Sequence, residues 1–416
     1  MTAQELNAYI NKVLGNSIRC LLPSYWWRRL LSQIVGYVES VDGKSESAYK
    51  AIKGLCGFII TTGNEESEVF ADGKNITIPA NTTRKISFIE RFKNVSYNLE
   101  GIMSIDTSFA STSNVTDMRD MFNCCYKLIS IDVSNFDTSN VTDMSGMFGG
   151  CNSLTSIDLS NFNTSKVTFM NSMFSACHSL TSLDLSNFDT SNVTNMGNMF
   201  WECDGLTSLD VSNFNTSNVT DMQSIFANCK GLASLDVSNF NTSKVTSMYK
   251  MFCGCKGLIS LDVSNFDTSN VSFFIRMFDN CNALTSLDLS NFNTSKANDM
   301  NAMFSACHSL TSLDLSNFDT SNVTDMIFMF GDCPNITTLS LGEGFFKTQS
   351  VTEVDFSDLG NWAQDSFLQS VVTNSYDRAS NGLSTLTLKL HANTYAYLTD
   401  EHKATLTAKG YDVVSA

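Results

Sequence analysis

Phe136, Phe162, Phe188, Phe214, Phe240, Phe266, Phe292 and Phe318 follow one another at intervals of 26 residues, with no insertion or deletion. Cys125, Cys151, Cys177, Cys203, Cys229, Cys255, Cys281, Cys307 and Cys333 keep the same interval. A fixed period of this size marks a tandem array in which each unit contacts only its neighbours, and it falls in the leucine-rich-repeat range. Nine units run from Ile102 to Ile336, and residues 173–194 recur unchanged as 303–324. The 416 residues therefore divide into an array and two flanks, rather than into compact domains of roughly 100–200 residues.

In the unit that starts at Leu154, the apolar positions are Leu154, Ile157, Leu159 and Phe162, then Val167, Met170, Met173, Phe174 and Cys177. The first group reads L-x-x-L-x-L, a strand with alternate side chains turned inward. The last four, at i, i+3, i+4 and i+7, predict the apolar stripe of a two-turn helix. Thr116, Thr142 and Thr168 are placed to cap such helices, and Asp117 and Asp143 follow where a helix dipole favours an acid. The predicted fold is an α/β solenoid of the leucine-rich-repeat class: a parallel strand ladder on one face, short helices on the other, capped at both ends.

The segment between strand and predicted helix, S-N-F-[DN]-T-S-[NK]-V-T, closely resembles the BspA-like bacterial surface leucine-rich repeats. The resemblance covers residues 102–341. It implies a cell-surface or extracellular protein that recognises host or matrix proteins and other cells, and it implies neither catalysis nor discrete site residues. One departure stands out: members are usually exported, and no signal-peptide pattern is visible at the N-terminus.

Four segments are expected. Residues 1–50 form a helical docking or oligomerisation segment, in which Leu21, Leu22, Tyr25, Trp26 and Trp27 exceed what so short a stretch can bury. Residues 51–101 alternate as strands, for example Asn75-Ile-Thr-Ile-Pro, and form an N-terminal β-rich cap. Residues 102–341 are the nine-unit solenoid. Residues 342–416 form a C-terminal α/β cap, with a strand at Leu386-Thr-Leu-Lys-Leu, a helix from Thr399 to Ala408 stopped by Gly410, and a last strand at Tyr411.

Forty-two acidic residues against 26 basic ones give a net charge of −16, which argues against phosphate backbones or anionic lipid as the main partner, so no nucleic-acid binding is expected. No run of about 20 apolar residues occurs, so no transmembrane segment is expected. The Cys ladder lies on the apolar stripe and reads as buried free thiols. Asp132, Asp158, Asp184, Asp210, Asp236, Asp262, Asp288 and Asp314 form an outward file on the strands. Mutual repulsion at about 5 Å spacing is expected to raise their pKa values or to attract cations. The Asn file, Asn135 to Asn317, is expected to satisfy backbone groups at the bend after the strand.

A search for catalytic patterns is empty: no nucleophile elbow, Walker loop, dinucleotide fingerprint or H-E-x-x-H is present. His178 and His308 are equivalent positions five units apart, and no metal or cofactor is expected. What varies from unit to unit is the predicted helix side, where Tyr126, Phe169, Trp201, Tyr249, Phe273, Arg276 and Phe328 stand at positions that elsewhere hold mostly small or polar residues such as Ser, Asn, Gly and Asp. Aromatics and Arg are the usual anchors of recognition. Trp201, Tyr249, Phe273, Arg276 and Phe328, with Asp210, Asp236 and Asp262 on the strand face, are therefore the candidate ligand-binding residues. The expected function is non-catalytic recognition of a protein or glycan receptor at a cell surface. The alternative is an attachment or fibre protein of a bacteriophage particle, docked to the virion or to copies of itself through residues 1–50.

Overall fold

The computed structural model describes residues 112–113, 115–360 and 362–416, and the backbone of 75–77 and 104–106. The apolar cluster Leu21, Leu22, Tyr25, Trp26 and Trp27, and the whole of the expected docking segment 1–50, lie outside the described residues.

The chain is a repeat protein with short parallel strands and few helices. β1 (Asn75–Thr77), β2 (Ser104–Asp106) and β3 (Ser130–Ile131) form one parallel sheet. β4 (Ser312–Leu315) pairs with β5 (Thr338–Leu341), Leu313 opposite Leu339, one period apart. β6 (Glu353–Phe356), β7 (Leu386–Leu390) and β8 (Tyr411–Ser415) form the third sheet, also parallel. None of the three is closed. Between β3 and β4 the strand segments run beside one another with sparse backbone bonds, such as Thr155 N–H to Ile129 at 3.3 Å and Ile259 N–H to Ala233 at 3.2 Å.

The hydrogen-bonded ladder is instead on the side predicted as helix, and no two-turn helix forms there. Residues 118–125 and their equivalents are chained turns. Alternate amides close turns within the unit, as Met121 to Met118, Asn123 to Asp120 and Cys125 to Phe122. The others reach across: Met118, Asp120, Phe122 and Cys124 donate to Asp143, Ser145, Met147 and Gly149 at 2.6–2.8 Å. Two residues per unit, four apart, take left-handed φ near +60° to permit this: Asp120 and Cys124, Gly146 and Gly150, Ser172 and Ala176, and so on to Phe328 and Asp332. A two-turn helix would have been a marginal element held only by side-chain packing. Chained turns keep the i, i+3, i+4, i+7 residues inward and in addition bond each unit to the next. The residues expected to cap a helix serve the same end. Thr142 donates its hydroxyl to Thr116 O at 3.1 Å, and Asp143 accepts the Ser145 amide at 2.8 Å.

The bends are fastened by two side-chain files. A file of buried Thr fastens each unit to the next: Thr138, for example, donates its hydroxyl to the carbonyl of Asn163 at 3.0 Å and accepts that residue's amide at 2.7 Å. Asn187 donates its amide to Leu159 and Phe162 carbonyls of the preceding unit at 3.0 and 2.7 Å. Satisfying buried backbone groups in this way is worth about 1 kcal/mol per bond, and leaving them unpaired costs more.

Inside, the apolar columns meet their own copies. Phe148, Phe174, Phe200, Phe226 and Phe252 stack with centroids 5.8–6.0 Å apart and planes within 12°. The stack ends on Phe330, Phe356 and Trp362, at 5.5 and 5.4 Å, so the C-terminal segment covers the last unit's apolar surface. There, α1 (Gln364–Phe367) runs into a π-helical turn (Leu368–Thr373). The short α2 (Ala392–Tyr395) follows β7. α3 (Asp400–Ala408) opens on a capping box between Thr399 and His402 and is followed by Gly410 at φ 92° and β8, as the sequence predicts.

The ladder cysteines are free, and each thiol from Cys151 onward donates to a Phe carbonyl 29 residues upstream, as Cys177 to Phe148 at 3.2 Å. Burial pushes the Cys177, Cys255 and Cys333 thiols up to about 12, far from the thiolate that reacts. In a Cys20→Ser/Cys56→Ser background, a thiol reagent is expected to label chiefly Cys124, which alone among the described cysteines is half-exposed. Denaturant should release the rest, and reductant should leave the melting temperature unchanged. Labelling of several ladder thiols in the native protein would show that the columns are not packed.

Candidate recognition surface

The varied residues all lie on the chained-turn side. Tyr249 is half-buried, with the Lys250 ammonium 5.1 Å from its ring centroid. On the next unit Phe273 is 42% exposed, its backbone bridged to Ser247, and Lys250 N–H donates to Ile275 O. Arg276 stands beside Asp279 at 3.9 Å. Tyr249, Phe273 and Arg276 are thus brought together across two adjacent units. Phe328 is 65% exposed, next to Ile327 at 60%. It lies two units beyond Arg276, and Trp201 lies two units before Tyr249, each about 10 Å away at the spacing of parallel strands. Sequence comparison of the units overlooked Ile327 and Lys250. Ile327 occupies the column of Tyr249, and Lys250 that of Arg276 and Phe328.

Arg276, Phe328 and Lys250 share a further property: φ is +55°, +57° and +54°. Gly146 holds this position in its unit, and the remaining units place the smaller Asp120, Ser172, Asn198, Ser224 and Ala302 there, also at positive φ. A β-carbon there costs about 1–2 kcal/mol relative to glycine. Large side chains are held at that cost where they do no burying.

Trp201 lies elsewhere, at one end of a groove of about 560 Å³ that also reaches Arg119, Asp120 and Tyr126. The polar pairs nearby are distinct. His178 lies between Glu202 and Asp204, at 4.0 and 3.4 Å, with Lys230 on Asp204 at 3.0 Å. His308 meets Asp332 at 2.8 Å.

The strand face holds the Asp file, exposed as expected but with the opposite electrostatics. Asp132, Asp158, Asp184, Asp210, Asp236, Asp262 and Asp288 all have lowered pKa values. Each accepts hydrogen bonds from the serine two residues on, with the backbone amide at 2.9–3.0 Å. Repulsion from neighbouring carboxylates is the minor cause, present at Asp132, Asp184, Asp236 and Asp288. The expectation of raised values is overturned because the D-[VL]-S pattern makes a local turn whose donors favour the charged form more than exposed neighbours oppose it. Asp210, Asp236 and Asp262 therefore spend one oxygen each on their own backbone. They are on the strand segments, apart from Trp201, Tyr249, Phe273, Arg276 and Phe328.

The sign of the pH dependence follows. A folded pKa below the unfolded one means stabilisation that is fully present above the unfolded value and lost as pH falls through the folded value. The melting temperature is expected to be flat from neutrality to pH 5 and to fall below about pH 4, the ordinary Asp range. Asp210→Asn, Asp236→Asn and Asp262→Asn together should shallow that fall, since Asn accepts the same turn bond, as Asn163 does from Ser165 at 3.1 Å. A rise in stability between pH 7 and 5 would restore repulsion as the governing effect.

Four overlapping stretches, residues 87–208, 180–258, 204–310 and 258–366, match one family, described as "Mycoplasma protein of unknown function, DUF285". No curated protein matches the chain. The overlapping matches span the array from before its first unit to past its last, about two thirds of the chain, which is what a family defined by this repeat should produce. By its repeats, the chain belongs to the DUF285 family.

Proposed function

We propose that this chain is a non-catalytic recognition protein displayed at a cell surface, built as a leucine-rich-repeat-like solenoid of the BspA-like kind, and that its chained-turn side binds a protein or glycan receptor. The observation that carries this reading is the set of bulky residues at left-handed backbone positions. Phe328 and Arg276 are exposed where glycine would be more stable, and Phe273 and Tyr249 flank Arg276. The left-handed φ is common to all units; what sets these apart is a large side chain held outward at it, where other units carry small or short polar ones. The inward columns and the bends barely vary, so the framework is held constant while one face changes, and aromatics and Arg dominate recognition surfaces.

A second reading, an attachment protein of a bacteriophage particle, draws on the unpaired thiols, which suit assembly in a reducing compartment. Both readings use the same face.

The test is a single triple variant, Tyr249→Ala, Arg276→Gly and Phe328→Gly, applied to a panel of bacterial and host cells and matrix proteins. Binding is expected to weaken at least about tenfold, while the two glycine replacements raise stability by about 1 kcal/mol each. Unchanged binding, or a parent protein that binds nothing on the panel, would remove this reading.

A further inference from the structure

The groove beside Trp201 is made by missing side chains. Two adjacent units carry Gly146, Gly149 and Gly150, then Ser172, Ser175 and Ala176, at columns where the unit before has Asp120, Asn123 and Cys124 and the unit after has Asn198, Trp201 and Glu202. Taller residues thus stand at both ends of a trench about two units wide. Gly146 and Gly150 are the left-handed residues of their unit, at φ 62° and 72°. A β-carbon on Gly150 would lie 3.4 Å from the Tyr126 ring, and one on Gly146 would collide with the Asp120 carboxylate.

The two ends are aromatic and polar side chains line the rest. Tyr126 stands with Asp120 and Asn123 at one end and Trp201 at the other, with Asn171 and Ser175 in the units between. Asn123 donates to Asp120 at 2.9 Å and Ser145 to Asn171 at 2.8 Å. The volume of about 560 Å³ falls within the roughly 300–1,000 Å³ of small-ligand sites. A peptide strand has no backbone edge to join here, because the floor amides are already spent on the next unit: Gly146 on Asn171, Gly150 on Ser175, Ser172 on Gly197 and Ala176 on Trp201, at 2.6–2.9 Å. The cation among the lining residues, Arg119, is paired with Asp117 at 2.6 Å and Asp143 at 3.2 Å, so an anionic ligand would have to compete with two carboxylates for it and would meet the Asp120 carboxylate as well. What remains complementary is a ligand with apolar C–H faces to lay on aromatic rings and uncharged hydroxyls to bond amides and a carboxylate.

We infer that the Tyr126–Trp201 groove is a binding site for a neutral oligosaccharide. This deepens the recognition reading, on which it rests, by naming a ligand class for a site separate from Tyr249, Arg276 and Phe328. Trp201 and Tyr126 stack on sugar faces at the two ends, and the Asp120 carboxylate, steadied by Asn123, accepts a hydroxyl at the Tyr126 end.

The experiment uses the full chain on an array of neutral, sialylated and sulfated oligosaccharides, with affinities measured by calorimetry on the glycans retained. Neutral glycans are expected to bind and charged ones to be excluded. Trp201→Ala and Tyr126→Ala should each weaken binding by about tenfold or more, and Trp201→Phe should recover part of the loss. Ser175→Trp should abolish binding by filling the trench. It puts tryptophan in a column that already holds one at Trp201, so the backbone accommodates it, and unchanged melting temperatures verify folding. Lys403→Ala, on α3, should bind as the parent does. Capture of only charged glycans, no glycan binding, or affinity indifferent to both Trp201→Ala and Ser175→Trp overturns the assignment. If cells or matrix proteins are still bound through the Tyr249 face, the groove assignment fails alone; if neither is bound, both fail.

Discussion

Phe226→Ala is expected to cost about 3–5 kcal/mol, among the largest losses any single truncation in the array can cause. Phe226 is fully buried and sandwiched between Phe200 and Phe252, each with its centroid at 5.8 Å, while Phe240 leans on it at 6.1 Å. Truncation leaves a void walled by rings that are fixed by their own neighbours, so little of it can collapse. The position matters as much as the volume. Stability of stacked units is close to a sum of unit and nearest-neighbour contributions, so a central defect uncouples the halves. Denaturant unfolding should pass from one transition to two, and Phe226→Leu should recover about half the loss. Phe273→Ala, on an exposed ring, serves as the comparison. A cost at Phe226 no greater than at Phe273 would show that the stack does not carry the array.

Arg378→Ala is expected to rival it, at about 3–5 kcal/mol. This guanidinium is fully buried, and its bonds are to carbonyls: Nε and Nη2 donate to Ser384 at 3.0 and 2.7 Å, Nη1 to Phe346 and Thr348 at 2.8 and 2.7 Å. Burial lowers its pKa, yet a guanidinium stays charged. Removing it strands acceptors from two separate loops under Tyr411, whose ring packs edge-on against Phe346 at 5.8 Å. Arg378→Lys should rescue little, because one ammonium cannot span the fork. Hydrogen exchange should accelerate first in β7 and β8. Near-parental stability of the lysine variant would reduce Arg378 to a point charge.

The period, the inward columns and the C-terminal α3–β8 unit were legible because each rests on spacing alone. The turn side was misread for a physical reason: residues at i, i+3, i+4 and i+7 face one way on a helix and also in four-residue chained turns. The discriminating signal was present at Gly146, Gly150 and Gly254, with Asn198, Asn228 and Asn280 at the matching positions of other units. These are the residues that enter left-handed conformations most readily. The carboxylate file was legible as a place but not in sign, since the serine two residues on outweighs a like charge one unit away. The groove was hidden because it consists of side chains that are not there. It emerges only when Gly149 and Ser175 are set beside Asn123 and Trp201 in their column.

Inter-unit bonds that always reach a partner about one period away have a consequence at the level of the gene. A crossover between two copies in register returns every amide, hydroxyl and thiol to an equivalent partner, so the array gains or loses whole units without a folding penalty at the junction. Residues 173–194 and 303–324 are identical and five periods apart. Recombination there would excise the units bearing Trp201, Tyr249, Phe273 and Arg276 in one step and rejoin His178 to the flank of Asp332. Such a lineage can discard most of its binding residues at once, keeping Tyr126 and Phe328, by changing length with no residue substituted at all.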